Sequence, residues 1–371
     1  LKIENSKIKI ALVHDYLNEF GGAERVLSVL SEMYPKAPIY TAFYKKGSTA
    51  YNHFKNKKII PSWVHYIPFF SSKLHSPLRF LTPLIWGSFN FSKFDVIIAS
   101  SSWYITKGFK KGPNTKEICY CHTPPRWLYG FKTSVGFQKY WLVRLYATIV
   151  GHFMRLYDFK QAQKVDVFVA NSKNVANRIQ KFYRRDSTII YPPISLLPVP
   201  QVKKEDFYLI ISRIVGAKGI DLAVNAATKL GIKLKIVGEP AGYYTEYKEL
   251  QKISGDNVEF LGRLSDEELV KYYAQAKAFL ALSTDEDFGM TPVESMMAGT
   301  PVIAFKGGGY LETVIDGKTG VFFDQPTVES LISAIQRFQK LNLKSSDCIS
   351  QAQNFSKEKF ISQIKKLIST I

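Results

Sequence analysis

Two carboxylates, Glu286 and Glu294, enclose seven residues in the stretch Glu286-Asp-Phe-Gly-Met-Thr-Pro-Val-Glu294. The apolar run 278–282 leads into it and reads as a buried parallel strand. Ligands of open α/β sheets bind at the carboxyl ends of strands. Carboxylates placed there can accept hydrogen bonds from the hydroxyls of a sugar or a ribose. The amides of Gly289, Met290 and Thr291, at the expected start of the next helix, can receive a phosphate or sugar oxygen. Thr291-Pro-Val-Glu294 also has the form of a capping box, with Pro292 at the first helical position. A cap accounts for Glu294 without any ligand, but leaves Glu286 and the Phe288-Gly289 pair unexplained.

Three further features stand at strand ends. Ser212-Arg213-Ile-Val-Gly-Ala-Lys218-Gly219 follows the strand expected over 208–211. Arginine offers planar, bidentate hydrogen bonds and lysine a mobile point charge, a combination suited to a diphosphate. By itself the pair reads as two solvated cations in a loop. Gly21-Gly22-Ala23-Glu24 follows the first strand, and glycines let a backbone approach a phosphate closely. The turn is not G-x-G-x-x-G and lacks the acidic residue about 20 positions on, which speaks against a nicotinamide dinucleotide. His122, in Cys121-His-Thr-Pro-Pro-Arg126, closes the strand expected over 117–121. A lone histidine is more often structural, yet this one lies where ligand-facing residues belong.

The elements that must position these residues are legible from periodicity. The chain has 371 residues, enough for two domains, and is 46% hydrophobic and 22% charged, as globular proteins with real cores are. Strands are expected at 8–13, 96–99, 117–121, 165–170 and 188–191, with a helix carrying Ala23, Val26, Leu27, Leu30 and Met33 on one face. Pro192-Pro193 and Leu197-Pro-Val-Pro200 then break the pattern as a stiff linker would. Alternation resumes with strands at 208–211, 234–237, 258–261, 278–282, 302–305 and 321–323. The expected fold is α/β, two doubly wound units with a cleft between them, where ligand sites are favoured. The boundaries are 1–195 and 196–356.

Two segments fit a plain α/β unit poorly. Residues 62–94 hold Trp63, Tyr66, Phe69, Phe70, Phe80, Trp86, Phe89, Phe91 and Phe94 with Lys73, Arg79 and Lys93 among them. Residues 131–164 mix Phe137, Tyr140, Trp141, Leu145, Ile149, Phe153 and Leu156 with Lys139, Arg144, Arg155 and Lys160. Such segments either pack on their own sheet or lie in a headgroup layer. The net charge is +19, and residues 1–195 carry all of it, with 29 Lys/Arg against 10 Asp/Glu. A field of that sign attracts an anionic membrane or nucleic acid. No secretory signal precedes the first strand, and no apolar run reaches bilayer-spanning length. A cytoplasmic protein, peripheral on the inner face of the membrane, is expected.

These features together resemble the retaining glycosyltransferases of family 4, which have the GT-B fold. The likeness spans nearly the whole chain: Glu286…Glu294 matches an E-x7-E motif, Ser212-Arg213…Lys218-Gly219 an S-R-x-x-x-x-K-G motif, and Gly21-Gly22 the N-terminal glycine loop. Val13-His-Asp-Tyr, Gly22-Ala-Glu-Arg25, Cys121-His-Thr-Pro124 and Gly299-Thr-Pro-Val-Ile-Ala-Phe-Lys-Gly-Gly308 are similar to a narrower group. That group comprises GDP-mannose-dependent mannosyltransferases that build lipid-linked bacterial polysaccharides. The resemblance implies two Rossmann-like domains, acceptor-binding then donor-binding, with the helix 357–371 returning to the first. It implies that Glu294 binds ribose, that Glu286 lies near the donor sugar, and that Gly289, Met290 and Thr291 offer amides with Phe288 beside them. Arg213 and Lys218 would neutralise the diphosphate with Ser212 at the same strand end, Gly21 and Gly22 would approach it, His122 would face sugar and acceptor, and Gly262-Arg263 would lie near the base. Closure of the two domains would exclude water. Pro192-Pro193 departs from the usual glycine-containing crossing and points to a stiffer hinge.

Metal and rival functions are weighed against this. Cys119 and Cys121 with His122 lack the second pair of a zinc set, and with Cys348 they make no disulfide framework. Asp285-Glu286-Asp287 looks like the D-x-D motif of another sugar-transfer fold, which holds Mg²⁺ or Mn²⁺. That fold is a single domain, and Arg213 with Lys218 can do a metal's electrostatic work, so no metal and no other cofactor is expected. The expected partners are a nucleotide sugar, a glycan or lipid-linked acceptor and an anionic membrane surface. A UDP-sugar donor is the alternative within the fold. A basic nucleic-acid-binding protein is the alternative outside it, but the chain lacks compact reading motifs and no nucleic acid is expected. A phosphorylase-like enzyme would need a pyridoxal-bearing lysine in a much longer chain, and an epimerase releasing free sugar is a further rival.

Overall fold

The computed structural model describes residues 8–131, 141–195, 197–240 and 244–371. The polar start 1–7, and Phe137, Lys139 and Tyr140 of the second aromatic segment, lie outside them. The chain divides into two compact units, the first ending at Pro193 and regaining Phe360–Ile371, the second running over Ile194–Lys359.

The first unit is built on seven parallel strands: β1 (Ile10–His14), β2 (Ile39–Thr41), β3 (Ile59–Pro61), β4 (Val96–Ser101), β5 (Lys116–Cys121), β6 (Val167–Ala170) and β7 (Thr188–Ile189). Their order is β3-β2-β1-β4-β5-β6-β7. Central strands read as continuous apolar runs because helices cover both faces of a parallel sheet. β2 and β3 escape sequence reading because each has three residues, too few to show a period. Pro61 fits because β3 is an edge strand, where a missing N–H costs no ladder bond.

On one face of this sheet, Val26, Leu27 and Leu30 of the Gly22–Met33 helix pack with Phe360 and Ile364 of the Lys357–Ile368 helix. On the other face lie Phe43, Phe70, Trp86, Phe91 and Tyr104. The aromatic segment 62–94 thus splits. Phe70, Trp86, Phe89 and Phe91 are core, whereas Tyr66 and Phe69 are 76% and 70% exposed. The Trp141–Ala162 helix buries Gly151, Met154, Asp158 and Ala162 and exposes Trp141, Leu142, Leu145, Ile149, Phe153 and Leu156. Among the described residues no helix is long and apolar enough to cross a membrane.

A buried ion pair ties that helix down. Lys107 Nζ lies 2.9 Å from Asp158 Oδ1, and both side chains are essentially inaccessible. The Tyr129 and Tyr183 hydroxyls each donate to Asp158 Oδ2 at 2.8 Å. Burial works against the Lys107 charge, but Asp158 more than offsets it and holds the amine above the ordinary lysine value.

The second unit has six parallel strands: β8 (Tyr208–Ile211), β9 (Leu234–Val237), β10 (Val258–Gly262), β11 (Ala278–Ala281), β12 (Val302–Phe305) and β13 (Gly320–Phe323). They are ordered β10-β9-β8-β11-β12-β13. The Ile220–Leu230 and Val328–Gln339 helices bury Val224, Ala227, Leu331 and Ile335 against Ile210, Ile236 and Ile303. Strand order reverses at β1/β4 in the first unit and at β8/β11 in the second. Those two switch points are where ligands of doubly wound sheets bind.

Candidate active site

Most of the second unit's predicted residues gather at the β8/β11 switch point. Ser212 and the exposed Arg213 follow β8 directly. A single 3₁₀ turn, Gly216–Lys218, then brings Lys218 back toward the strand ends. Its Nζ lies 2.7 Å from Glu286 Oε2, a partly exposed ion pair across the two strands' loops. The Tyr310 hydroxyl donates to the same carboxylate oxygen at 3.4 Å. The Gly309 amide donates to the Glu286 carbonyl at 2.9 Å. Gly309 permits that approach, since a Cβ there would collide with the Phe288 backbone.

The Met290–Met297 helix begins beyond this loop, with Gly289 as its N-cap at φ +87° and no side-chain cap. A residue other than glycine would place its Cβ 2.7 Å from the Tyr310 ring. The helix therefore starts two residues earlier than a Thr291 cap requires. The expected Thr291…Glu294 capping box does not form, and Pro292 falls inside the first turn, where its missing N–H still lies outside the ladder. Glu294 is instead a helix-interior side chain, 3% exposed, that accepts a 2.7 Å hydrogen bond from the Tyr273 hydroxyl. The capping explanation of Glu294 is thereby removed. The first helical amides, Met290 and Thr291, have no intrahelical acceptor by construction and can receive an anion. Gly262 and Arg263 stand elsewhere, at the end of the edge strand β10.

In the first unit the β1/β4 switch point carries a file of polar side chains. The Gly21 amide donates to Glu24 Oε2 at 2.9 Å. Glu24 Oε1 meets His14 Nε2 at 3.1 Å, His14 Nδ1 meets Ser100 Oγ at 3.0 Å, and Ser100 Oγ meets His122 Nε2 at 2.8 Å. Gly21, at the helix start, is thus joined to His122 by bonds the sequence does not reveal. Burial, with His14 adding to it, pushes the His122 imidazole down to about 4, so the ring is neutral at pH 7. Asp15, the residue that follows β1, accepts from the amides of Ser102, Trp103 and Tyr104 at 3.1, 2.5 and 3.1 Å. That carboxylate fixes the loop leaving β4.

His14, Glu24, Ser100, Tyr310 and Gly309 were not among the predicted site residues. The Gly307-Gly308-Gly309 run, the His14-Asp15 pair at a strand end and Glu24 in the Gly21-Gly22-Ala23-Glu24 turn offered a signal. Cys119 and Cys121 are both buried on β5, as small apolar strand residues are.

Comparison with known proteins agrees with this architecture. The description "Glycosyltransferase Family 4" matches residues 20–196 and "Glycosyl transferases group 1" matches residues 198–355. An uncharacterized glycosyltransferase of Methanocaldococcus jannaschii is 25% identical over 57% of this chain and 62% of its own length. The alpha-1,3/1,6-mannosyltransferase ALG2 of Dictyostelium discoideum is 28% identical over 67% of this chain and 68% of its own. Among solved structures, Anabaena HepE in complex with UDP and glucose superposes with a TM-score of 0.70 at 18% identity, covering 98% of this chain and 100% of that one. Sucrose-phosphate synthase from Thermosynechococcus elongatus gives 0.69 at 18% identity, covering 98% of each chain. With a doubly wound parallel sheet in each unit and family matches across both, the chain belongs to the family 4 glycosyltransferases of the GT-B fold.

Proposed function

We propose that this glycosyltransferase moves mannose from GDP-mannose, with retention and without a divalent metal, to a glycan or lipid-linked acceptor. The observation that carries the reading is the β8/β11 cluster, where Lys218, Glu286 and the open end of the Met290–Met297 helix share one set of strand ends. As the sugar leaves, it becomes oxocarbenium-like and negative charge grows on the diphosphate. Fixed cations and amides stabilise that charge better than water does. Arg213, Lys218 and the amides of Gly289, Met290 and Thr291 take this task. Glu294 holds the ribose, Glu286 the donor sugar, and Gly262-Arg263 the base. In the first unit Gly21 and Gly22 serve the diphosphate, and His122 faces sugar and acceptor. The leaving phosphate takes the acceptor's proton, so no protein base is obligatory.

Mannose as the sugar is supported by the ALG2 relatives. A UDP-hexose donor is the second reading, favoured by structural neighbours solved with UDP and UDP-glucose. Thermal shift against a panel of nucleotides and nucleotide sugars separates the two. At 100 times its dissociation constant the true donor stabilises by about 2.7 kcal/mol. GDP and GDP-mannose are expected to raise Tm, and Glu294→Ala to abolish the response. A response to UDP forms alone overturns the GDP assignment, and no response to any nucleotide overturns the donor site.

For the acceptor, we propose that the first unit rests on the anionic cytoplasmic face of a membrane. The exposed apolar stripe of the Trp141–Ala162 helix lies in the half of the chain that carries all the excess positive charge. Beside it is a cavity of about 420 Å³ lined by Phe80, Pro83, Tyr146, Ile149, Phe153 and Met154, among others, of a kind suited to an apolar chain. The protein is expected to co-sediment with phosphatidylserine-containing vesicles and to be released by salt. Phe153→Glu with Ile149→Glu is expected to abolish binding. Equal binding to neutral vesicles, or none to either, would count against the charge argument.

A further inference from the structure

The file of residues at the β1/β4 switch point has a hydrogen count that can be worked through. Burial opposes the Glu24 charge, but His14 and the Gly21 amide outweigh it and hold the carboxyl below the ordinary glutamate value. An ionised carboxylate only accepts, so His14 Nε2 must carry a proton. A neutral His14 then has a bare Nδ1, which accepts the one hydroxyl proton of Ser100. Ser100 has only lone pairs left for His122, so Nε2 of His122 carries its proton and Nδ1 is bare. If His14 also gains a proton at Nδ1, both bonds of Ser100 reverse while the Glu24 bond keeps its direction. Ser100 accepts from His14 and donates to His122 Nε2, and the His122 proton resides on Nδ1.

We propose that Glu24, His14 and Ser100 are positioning residues, a proton relay that decides whether His122 presents an acceptor or a donor at Nδ1. A proton arriving at His122 Nδ1, from a hydroxyl or from solvent, lets the Nε2 proton pass to Ser100. The hydroxyl proton of Ser100 passes in turn to His14 Nδ1. One proton enters and one positive charge results. That charge rests on His14 against Glu24, not on His122.

Several observations favour this division of charge. His14 and Ser100 are buried, at 2% and 0% exposure, so water cannot readily substitute for either bond. Burial itself, with His14 beside it, disfavours a charged His122, while Asp15 and Glu24 favour one. The Tyr120 ring, 5.1 Å from the His122 ring, packs against it and fixes its plane. The Glu24 carboxylate is the charge in direct contact with the file, and it contacts His14. The relay's use in sugar transfer rests on the function proposed above: a bare Nδ1 accepts from a sugar hydroxyl and a protonated one donates to an oxygen.

The test is two-bond ¹H–¹⁵N correlation NMR of the whole protein labelled at histidine, without substrate, between about pH 5 and pH 8. Signals are assigned by their loss in His14→Gln and His122→Gln. Over the range His122 is expected to stay neutral and to report the state of its neighbour, with Nε2–H wherever His14 is neutral and Nδ1–H wherever His14 is imidazolium. In Ser100→Ala, His122 is expected to stop following His14. The relay is overturned if His122 shows the other tautomer in either state of His14, or if His122 itself becomes imidazolium. It is overturned equally if His122 still follows His14 in Ser100→Ala. The wild-type spectra decide the matter even if that variant does not fold. Because no nucleotide sugar is present, failure of the relay and failure of the donor reading are separate results.

Discussion

Lys218→Ala is expected to lose on the order of 100- to 1000-fold in kcat while melting close to wild type. The loss follows from the proposed role. A cation aimed at the diphosphate gains value as the sugar departs, and its removal leaves that growing charge to water. The retained stability follows from the structure. The Lys218–Glu286 pair is 30% and 20% exposed, and such a pair contributes about 0–1 kcal/mol after solvent screening. Arg213→Ala is expected to fall by a similar order, and Arg213→Lys by less, because lysine keeps the charge and loses the bidentate geometry. The readout is release of GDP from GDP-mannose beside a thermal melt of each variant. Near-wild-type turnover in both alanine variants would sink the site assignment. A Lys218→Ala protein that simply unfolds would show instead that the ion pair is structural.

The largest effect on stability is expected at Asp158. Asp158→Ala leaves the Lys107 ammonium buried without its carboxylate and strips two tyrosine hydroxyls of their acceptor. Breaking a buried pair from one side costs about 3–5 kcal/mol, a large share of the roughly 5–15 kcal/mol that holds a domain together. Removing both charges is a different experiment. Lys107→Met with Asp158→Leu replaces the pair by apolar bulk and is expected to recover much of the loss, since neither charge then needs solvation. Urea midpoints at unchanged slope give the comparison. An Asp158→Ala midpoint indistinguishable from wild type, or a double variant less stable than the single one, would contradict the argument.

Sequence reading succeeded where the information is local. β8, β9 and β12 lie at their expected bounds because a strand buried on both faces announces itself by an unbroken apolar run. Arg213, Lys218 and Glu286 lie at strand ends, as expected, because each follows such a strand within a few residues. What failed was either too short or too distant. β2 and β3 are three residues each. His14 and Ser100 bond across a separation of 86 positions, which no spacing rule connects. The Thr291…Glu294 capping box was a sound local pattern overruled by a tertiary contact. Tyr310 leaves space only for a glycine at position 289, and the helix begins from there.

The return of Phe360 and Ile364 to the first unit's core bears on the order in which the protein can be made. A ribosome delivers residues 1–193 first, yet these cannot close their core alone, because a helix that covers one face of the sheet has not been synthesised. Residues 194–359 follow and hold everything their own core requires. At about 5–20 residues per second the first unit waits roughly 10–30 s with part of that face uncovered. The later unit of this chain is therefore the earlier one to finish folding, and the nascent first unit is the stretch for which a chaperone matters most.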